Sequence, residues 1–448
     1  MSPVSNVVSE GWFPVSFEQQ LLLDNAEEKP PSHYNIVYGY LLRGSFDPES
    51  YAEAVRLIAS SHESLRMVFR SQGARHVQRV LPQPAETVVE RFSALEADGL
   101  QAFFTSATEQ PIDIEAGPLF SCGLAPLAEG AGWALFHRWH HGIVDAWSVG
   151  LVTQQLAAAY NALLAGRAYR PEVGPRPRDI VQTELQAADR DPESGAYWAG
   201  VCEGAELLRF GPERGSGTPG IAGVVVRRVD LGGERMRALT RKTGFGASAL
   251  FLASALSVAE LEPAGRAARS AQSGPPKLLI SILGLRTSPE LRRFVGLLMR
   301  VVPLSVAVSS GMTGAELMGR VQSATLGAWA HRREPLGLAM ELYPSVVEAL
   351  GGMPMPLLVQ LLDVPDRVFA PERAEAEEVY HGFRRYTRFD VELQIRPRTS
   401  SEFEIALVFD EELAPREHFD DLLETFVAQA SKLVRSAVDV ASVASAPA

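Results

Sequence analysis

The run Trp139-His140-His141-Gly142-Ile143-Val144-Asp145-Ala146-Trp147-Ser148 sets two adjacent histidines and, four residues beyond the second, an aspartate at one strand-to-helix junction. The chain has nine histidines in 448 residues, so a chance His-His-x-x-x-Asp is expected in roughly one such chain in a hundred. An imidazole is the side chain best suited to move protons near neutral pH. His141 reads as a general base or a transition-state hydrogen-bond partner in acyl transfer; the competing reading is a core histidine satisfied by backbone at a strand end. His140 reads as structural, buried and bonded to backbone. Asp145 stands where a helix N-cap belongs, ahead of an apolar-periodic run. It is expected to shape the loop, with a cation opposite, rather than touch substrate. No metal site is expected, because the two histidines lack the i, i+4 spacing of a zinc helix and no cysteine cluster supports them.

The elements that must position these residues follow from periodicity. Trp133 to Trp139 is apolar on both faces and predicts a buried strand feeding the histidines. Val149, Leu151, Val152, Leu156 and Tyr160 predict an amphipathic helix from Asp145 to near Gly166. Tyr34, Ile36, Tyr38, Tyr40 and Leu42 share one strand face, and Asp47-Pro48 predicts an N-cap and first-turn proline for a helix to about Ser60. Further strands are expected at 224–231, 277–283, 356–364, 388–395 and 402–409, the last two as a hairpin, with helices at 313–331 and 415–437. Loops rich in Gly, Pro and Arg are expected at 211–223 and 262–276, and the Ala/Ser/Val tail is expected to fray.

Strand-helix alternation points to an α/β fold. At 448 residues two domains are expected, residues 1–175 and 176–448, cut at the proline-rich stretch 165–179. A net charge of -12 and a pI near 5.4 argue against nucleic acid as a partner. Cys122 and Cys202 imply no disulfide framework. There is no secretory signal pattern and no ~18-residue apolar run, so a cytoplasmic protein without a membrane partner is expected. Arg66, Arg70, Arg75 and Arg79 read either as a solvated surface or as a docking patch for an acidic partner.

With these motifs in view, the chain resembles the condensation-domain family of nonribosomal peptide synthesis, within the chloramphenicol-acetyltransferase-like acyltransferases. Ser16 and Gln19 match its opening S-x-A-Q motif; His62, Glu63, Leu65, Arg66 and Phe69 match R-H-E-x-L-R-T-x-F; and His140 to Ala146 is close to H-H-x-x-x-D-G. Later, Gly284-Leu285-Arg286, Val295-Gly296 with Pro303-Leu304, His331 with Pro335, and Phe389-Asp390-Val391 resemble further family elements. The resemblance implies two acetyltransferase-like lobes in a V, mixed sheets flanked by helices, and a tunnel reaching the histidine motif. It implies His141 as the catalytic residue, with Asp145 paired to an arginine, for which Arg286 is the best match. Ala146, Trp147, Arg300 and Ser305 become tunnel or substrate candidates.

Ala146 replaces the usual glycine, which costs something if that position needs positive φ. Arg300 and Ser305 stand where asparagine and arginine are usual. The resemblance further implies no bound cofactor, a carrier-protein phosphopantetheine thioester as acyl donor (coenzyme A as the alternative), and a small-molecule amine or alcohol as acceptor. No adenylation or carrier segment is recognisable, so the donor is expected to come from a separate acyl or peptidyl carrier protein. A non-catalytic module that recruits a partner is the rival from another class.

Overall fold

The computed structural model describes residues 11–27, 29–190, 195–211, 220–259, 274–309, 311–334, 336–342, 344–350, 356–365, 368–379 and 385–444. The chain forms two compact α/β units, each a mixed arrangement of strands and flanking helices. The first comprises Met1–Pro192, Gly284–Met299 and Val364–Arg385, and the second Glu193–Leu283, Arg300–Asp363 and Tyr386–Ala448. Two segments from the far half of the chain therefore belong to the first unit, where composition alone suggested one break near residue 175.

In the first unit, Trp133–His140 is the central strand of a five-stranded sheet, ordered Ala374–Glu378, Asn35–Gly44, Trp133–His140, Phe120–Pro126, Val89–Arg91. It runs antiparallel to both neighbours, with Asn35 opposite His140 and Phe120 opposite Trp139. Both faces are buried, as the sequence predicts. Leu135 and Trp139 enter the main core with Tyr38, Tyr40, Leu156 and Tyr160, while Ala134 and Phe136 lie beneath Phe103 and Phe104 of the helix Gly99–Glu109. Each large side chain sunk this way contributes about 1.5–3 kcal/mol. Packing is close enough to require glycine beside it: a Cβ on Gly123 would fall 2.1 Å from the Phe136 ring.

The helix Pro48–Ser61 starts as expected, with Asp47 accepting from the Ser50 N–H and proline in the first turn. A second, three-stranded sheet joins Phe13–Pro14, Arg75–Val80 and Met67–Gln72. It accounts for most of the arginine stretch. Arg70 and Arg79 hold the Trp12 ring from 4.3 and 4.7 Å, and Arg66 donates to the Ala59 and Leu81 carbonyls. Those three arginines each have a local structural contact.

The second unit holds a seven-stranded sheet. Its main path runs Met299–Val306, Lys277–Gly284, Leu357–Leu361, Val391–Pro397, Glu402–Asp410, Ala222–Asp230, with Glu206–Leu207 on Lys277–Gly284. The expected hairpin is present, pairing Val391 with Phe409 and Pro397 with Phe403. Leu393, Ile395, Ile405, Leu407 and Phe409 share a core with Phe251 and Phe426 of the helices Ala247–Ala259 and Arg416–Ala444. Gly314–Ala330 begins with a capping box between Thr313 and Glu316. Pro335, most of the two expected loops (212–219 and 260–273) and the tail end 445–448 lie outside the described residues. Among the described residues no single helix is long and apolar enough to cross a membrane.

Candidate functional site

His140 ends the central strand and His141 opens the short 3-10 turn His141–Ile143. The buried His140 ring accepts the Gly142 N–H at Nδ1, 3.1 Å away, so in the neutral ring its proton sits on Nε2. His141 is set the other way. Its backbone N–H donates to the Tyr34 carbonyl at 2.9 Å, and its Nδ1 lies 3.0 Å from the Val144 carbonyl. A carbonyl can only accept, so Nδ1 carries the proton and the lone pair falls on Nε2. Adjacent histidines thus hold opposite tautomers through their own turn's backbone.

Asp145 is the N-cap of the helix Ala146–Leu164, its Oδ1 accepting the Ser148 N–H at 2.9 Å. Its Oδ2 accepts from Arg286 Nη1 at 2.6 Å and from the Leu298 N–H at 2.9 Å. Burial pushes this carboxyl's pKa up, but the Arg286 charge and the bonds from Arg286, Ser148 and Leu298 outweigh it and hold the group below the usual carboxylate value. Arg286 also reaches the Leu298, Phe294 and Gly296 carbonyls and the Ser148 hydroxyl. Ser148 Oγ in turn donates to the Gly296 carbonyl at 2.8 Å and accepts the Gly296 N–H at 3.0 Å. Trp147 Nε1 donates to the Arg292 carbonyl at 3.0 Å. The loop after the histidines is therefore pinned to segment 284–299 by ionic, side-chain and backbone bonds together.

Ala146 occupies the first helical position, and Glu129 is the one non-glycine with positive φ among the described residues. Alanine therefore carries no backbone strain here. The opening motif gains a physical role: Ser16 and Gln19 form a capping box on the helix Phe17–Ala26. The Gln19 side-chain amide then donates to the Gly142 carbonyl at 2.9 Å. His62 bonds Gln155 at 2.9 Å, and Gln155 bonds the Glu172 carbonyl, so this histidine ties the helix Ala146–Leu164 in place. Sequence reasoning does not mark Ser148, Gln78 or Tyr34 as supporting residues. Gln78 holds the Pro14 carbonyl and the Gln19 amide, and nothing in the local pattern of the strand Arg75–Val80 signals it.

His140, His141, Asp145, Ala146, Trp147 and Arg286 thus meet in the first unit. Arg300 and Ser305 lie on the strand Met299–Val306, within the second unit; Arg300 is buried, its Nε donating to the Arg332 carbonyl at 3.1 Å, and Ser305 is half-buried. His331 stacks on Tyr197 at 3.8 Å between centroids and bonds Glu334 at 2.6 Å. Asp145 is committed to Arg286 and the His140 ring is buried, whereas His141 is half-buried, with Nδ1 held by the Val144 carbonyl.

Residues 9–223 match the family model described as Condensation domain. A linear gramicidin synthase of Brevibacillus parabrevis is 27% identical over 350 residues, which is 74% of this chain and 4% of that protein. Isonitrile lipopeptide synthase of Mycobacterium tuberculosis is 27% identical over 348 residues, 73% of this chain and 13% of that protein. The chain therefore spans a small part of the length of these curated relatives. Among solved structures, the starter condensation domain of rhizomide synthetase in complex with C8-CoA superimposes with a TM-score of 0.77 at 18% identity, covering 95% of both chains. The X-domain in complex with OxyB from teicoplanin biosynthesis gives 0.76 at 20% identity, covering 96% of this chain and 94% of that one. By sequence over residues 9–223, just under half of its length, the chain matches the condensation domain, and over nearly its whole length it shares the fold of solved condensation domains.

Proposed function

We propose that this protein transfers an acyl or aminoacyl group from a carrier-protein phosphopantetheine thioester to an amine or alcohol, forming an amide or ester. The observation that carries the reading is the Val144 carbonyl on His141 Nδ1, which leaves the imidazole lone pair on Nε2. In this scheme Nε2 takes the proton of the acceptor nitrogen or oxygen as that atom attacks the thioester carbonyl. The tetrahedral oxyanion then collapses, the C–S bond breaks, and the proton passes to the departing sulfur. Thioester and acceptor become amide or ester plus thiol, with no change of oxidation state and no resident cofactor needed.

Asp145 and Arg286 act through the loop, keeping the turn that carries His141 in one geometry. Proton transfer by a positioned base contributes roughly 10²–10⁴ in rate. His141→Ala is therefore expected to lower turnover of an acyl thioester by that factor while leaving carrier affinity unchanged; product formation at the wild-type rate would overturn the assignment. Coenzyme A is the alternative donor, a reading supported by the C8-CoA held by the rhizomide starter domain. A kinetic comparison of acyl-carrier and acyl-coenzyme A donors separates the two. The recruitment reading finds its support in the X-domain complex with OxyB. It predicts no His141-dependent product from any thioester.

A further inference from the structure

The helix Gly314–Ala330 buries Leu317, Met318, Val321 and Ala328 on one side. On its other side Leu326 is 59% exposed and Trp329 is 38% exposed. Large exposed apolar side chains are few among the described residues, and two of them fall one helical turn apart here. Beside them Arg332 lies over the Trp329 ring, 4.7 Å from its centroid, and Arg333 is exposed. Neither arginine has a carboxylate partner among the described residues. Glu334, the carboxylate of the same turn, is engaged by His331 at 2.6 Å.

The plain explanation is that a cation at a helix C-terminus complements the helix dipole. It covers the bond from Arg332 to the Trp329 carbonyl at 2.8 Å. It leaves unexplained why Trp329 and Leu326 face water, or why Arg333 stands without an acid on a protein of net charge -12. Tryptophan and arginine are the residues that most often anchor interfaces, and a local positive patch on an acidic protein selects an acidic partner over copies of itself.

We infer that the end of this helix, with Leu326, Trp329, Arg332 and Arg333, docks an acidic carrier domain. That carrier would place carboxylates against the two arginines and an aliphatic side chain against Leu326 and Trp329. The inference rests on the carrier-donor reading above and adds the surface that reading lacks.

The test uses the full chain and a purified, phosphopantetheinylated carrier domain of strongly negative net charge, followed by fluorescence anisotropy at two ionic strengths. Wild-type binding is expected to weaken as salt rises. The pair Arg332→Glu with Arg333→Glu, and separately Trp329→Ala, are each expected to weaken it by ten-fold or more, with melting temperatures unchanged. Wild-type affinity in the charge-reversed variant, or no salt-sensitive binding by the wild type, would overturn the docking surface. Turnover of a small acyl-pantetheine thioester, which needs no docking, reports separately on catalysis and should be unaffected by all three substitutions. If that thioester is consumed while the variants bind normally, docking falls and catalysis stands. If the carrier binds as described but no thioester is consumed, the catalytic reading falls instead.

Discussion

Two buried carboxylates, one in each unit, hold arginines in opposite ways. Asp145 has a single guanidinium, that of Arg286, sunk with it and shared with the Ser148 hydroxyl and three carbonyls. Glu404 sits among three: Arg398 at 2.7 Å, Arg228 at 3.2 Å and Arg396 at 3.8 Å. Arg228 is 80% exposed, so solvent screens its charge. The first arrangement has no substitute for either partner, and the second has spares. A buried pair need not add stability, yet removing one partner strands the other in the interior. Where one loop must keep one geometry, as beneath His141, an irreplaceable pair makes departure from that geometry costly.

The sharpest break of this comparison is Asp145→Ala. It strands Arg286 and is expected to cost about 3–5 kcal/mol, read as a lowered midpoint in chemical denaturation, with most activity lost as well. A midpoint within error of wild type would mean the pair does not hold the loop. Below that stands His137, a buried histidine with no charge partner among the described residues, which bonds Tyr51 at 2.9 Å and whose pKa burial pushes down to about 3. The unfolded chain takes up a proton near pH 6.5 that the folded protein refuses. Stability is therefore complete above that pH and falls by about 1.4 kcal/mol per pH unit below it, until the folded ring titrates. His137→Gln should flatten this slope between pH 6 and 4, and an unchanged slope would locate the acid sensitivity elsewhere.

Asp145 has the reverse sign logic in its own window. Its lowered pKa keeps its contribution present above the ordinary carboxylate value and loses it only as pH drops through the lowered one. The smallest expected effect is that of Arg228→Ala. With Arg396 and Arg398 still facing Glu404, the loss should stay below about 1 kcal/mol in a urea titration. A loss as large as that of Asp145→Ala would erase the distinction between the two sites.

Much of this is legible in the chain because local physics is written in local residues. The double-sided apolar run of Trp133–His140, the caps at Asp47 and Asp145, and the hairpin of Val391–Pro397 with Glu402–Asp410 each follow from short-range pattern. The arginine stretch is ambiguous for the opposite reason: Arg70 and Arg79 are explained by Trp12, which lies nearly sixty residues before the first of them. Gln78 is invisible because a strand glutamine has no signature until its partners, Pro14 and Gln19, are folded beside it. The arginine for Asp145 is reached through resemblance alone and lies 141 positions along the chain.

By itself the sequence determined the chemistry on offer, an imidazole at a capped strand-to-helix turn, and the elements on either side of it, because caps and hydrophobic period act over a few residues. Only the tertiary structure decided which tautomer each histidine holds, since that depends on which backbone groups the turn brings to each ring. It also decided that segment 284–299 closes on the turn and that the strand Ala374–Glu378 completes the sheet beside Asn35–Gly44. Pairings over such separations are selected by burial and hydrogen-bond satisfaction of the whole unit, and no local pattern records them.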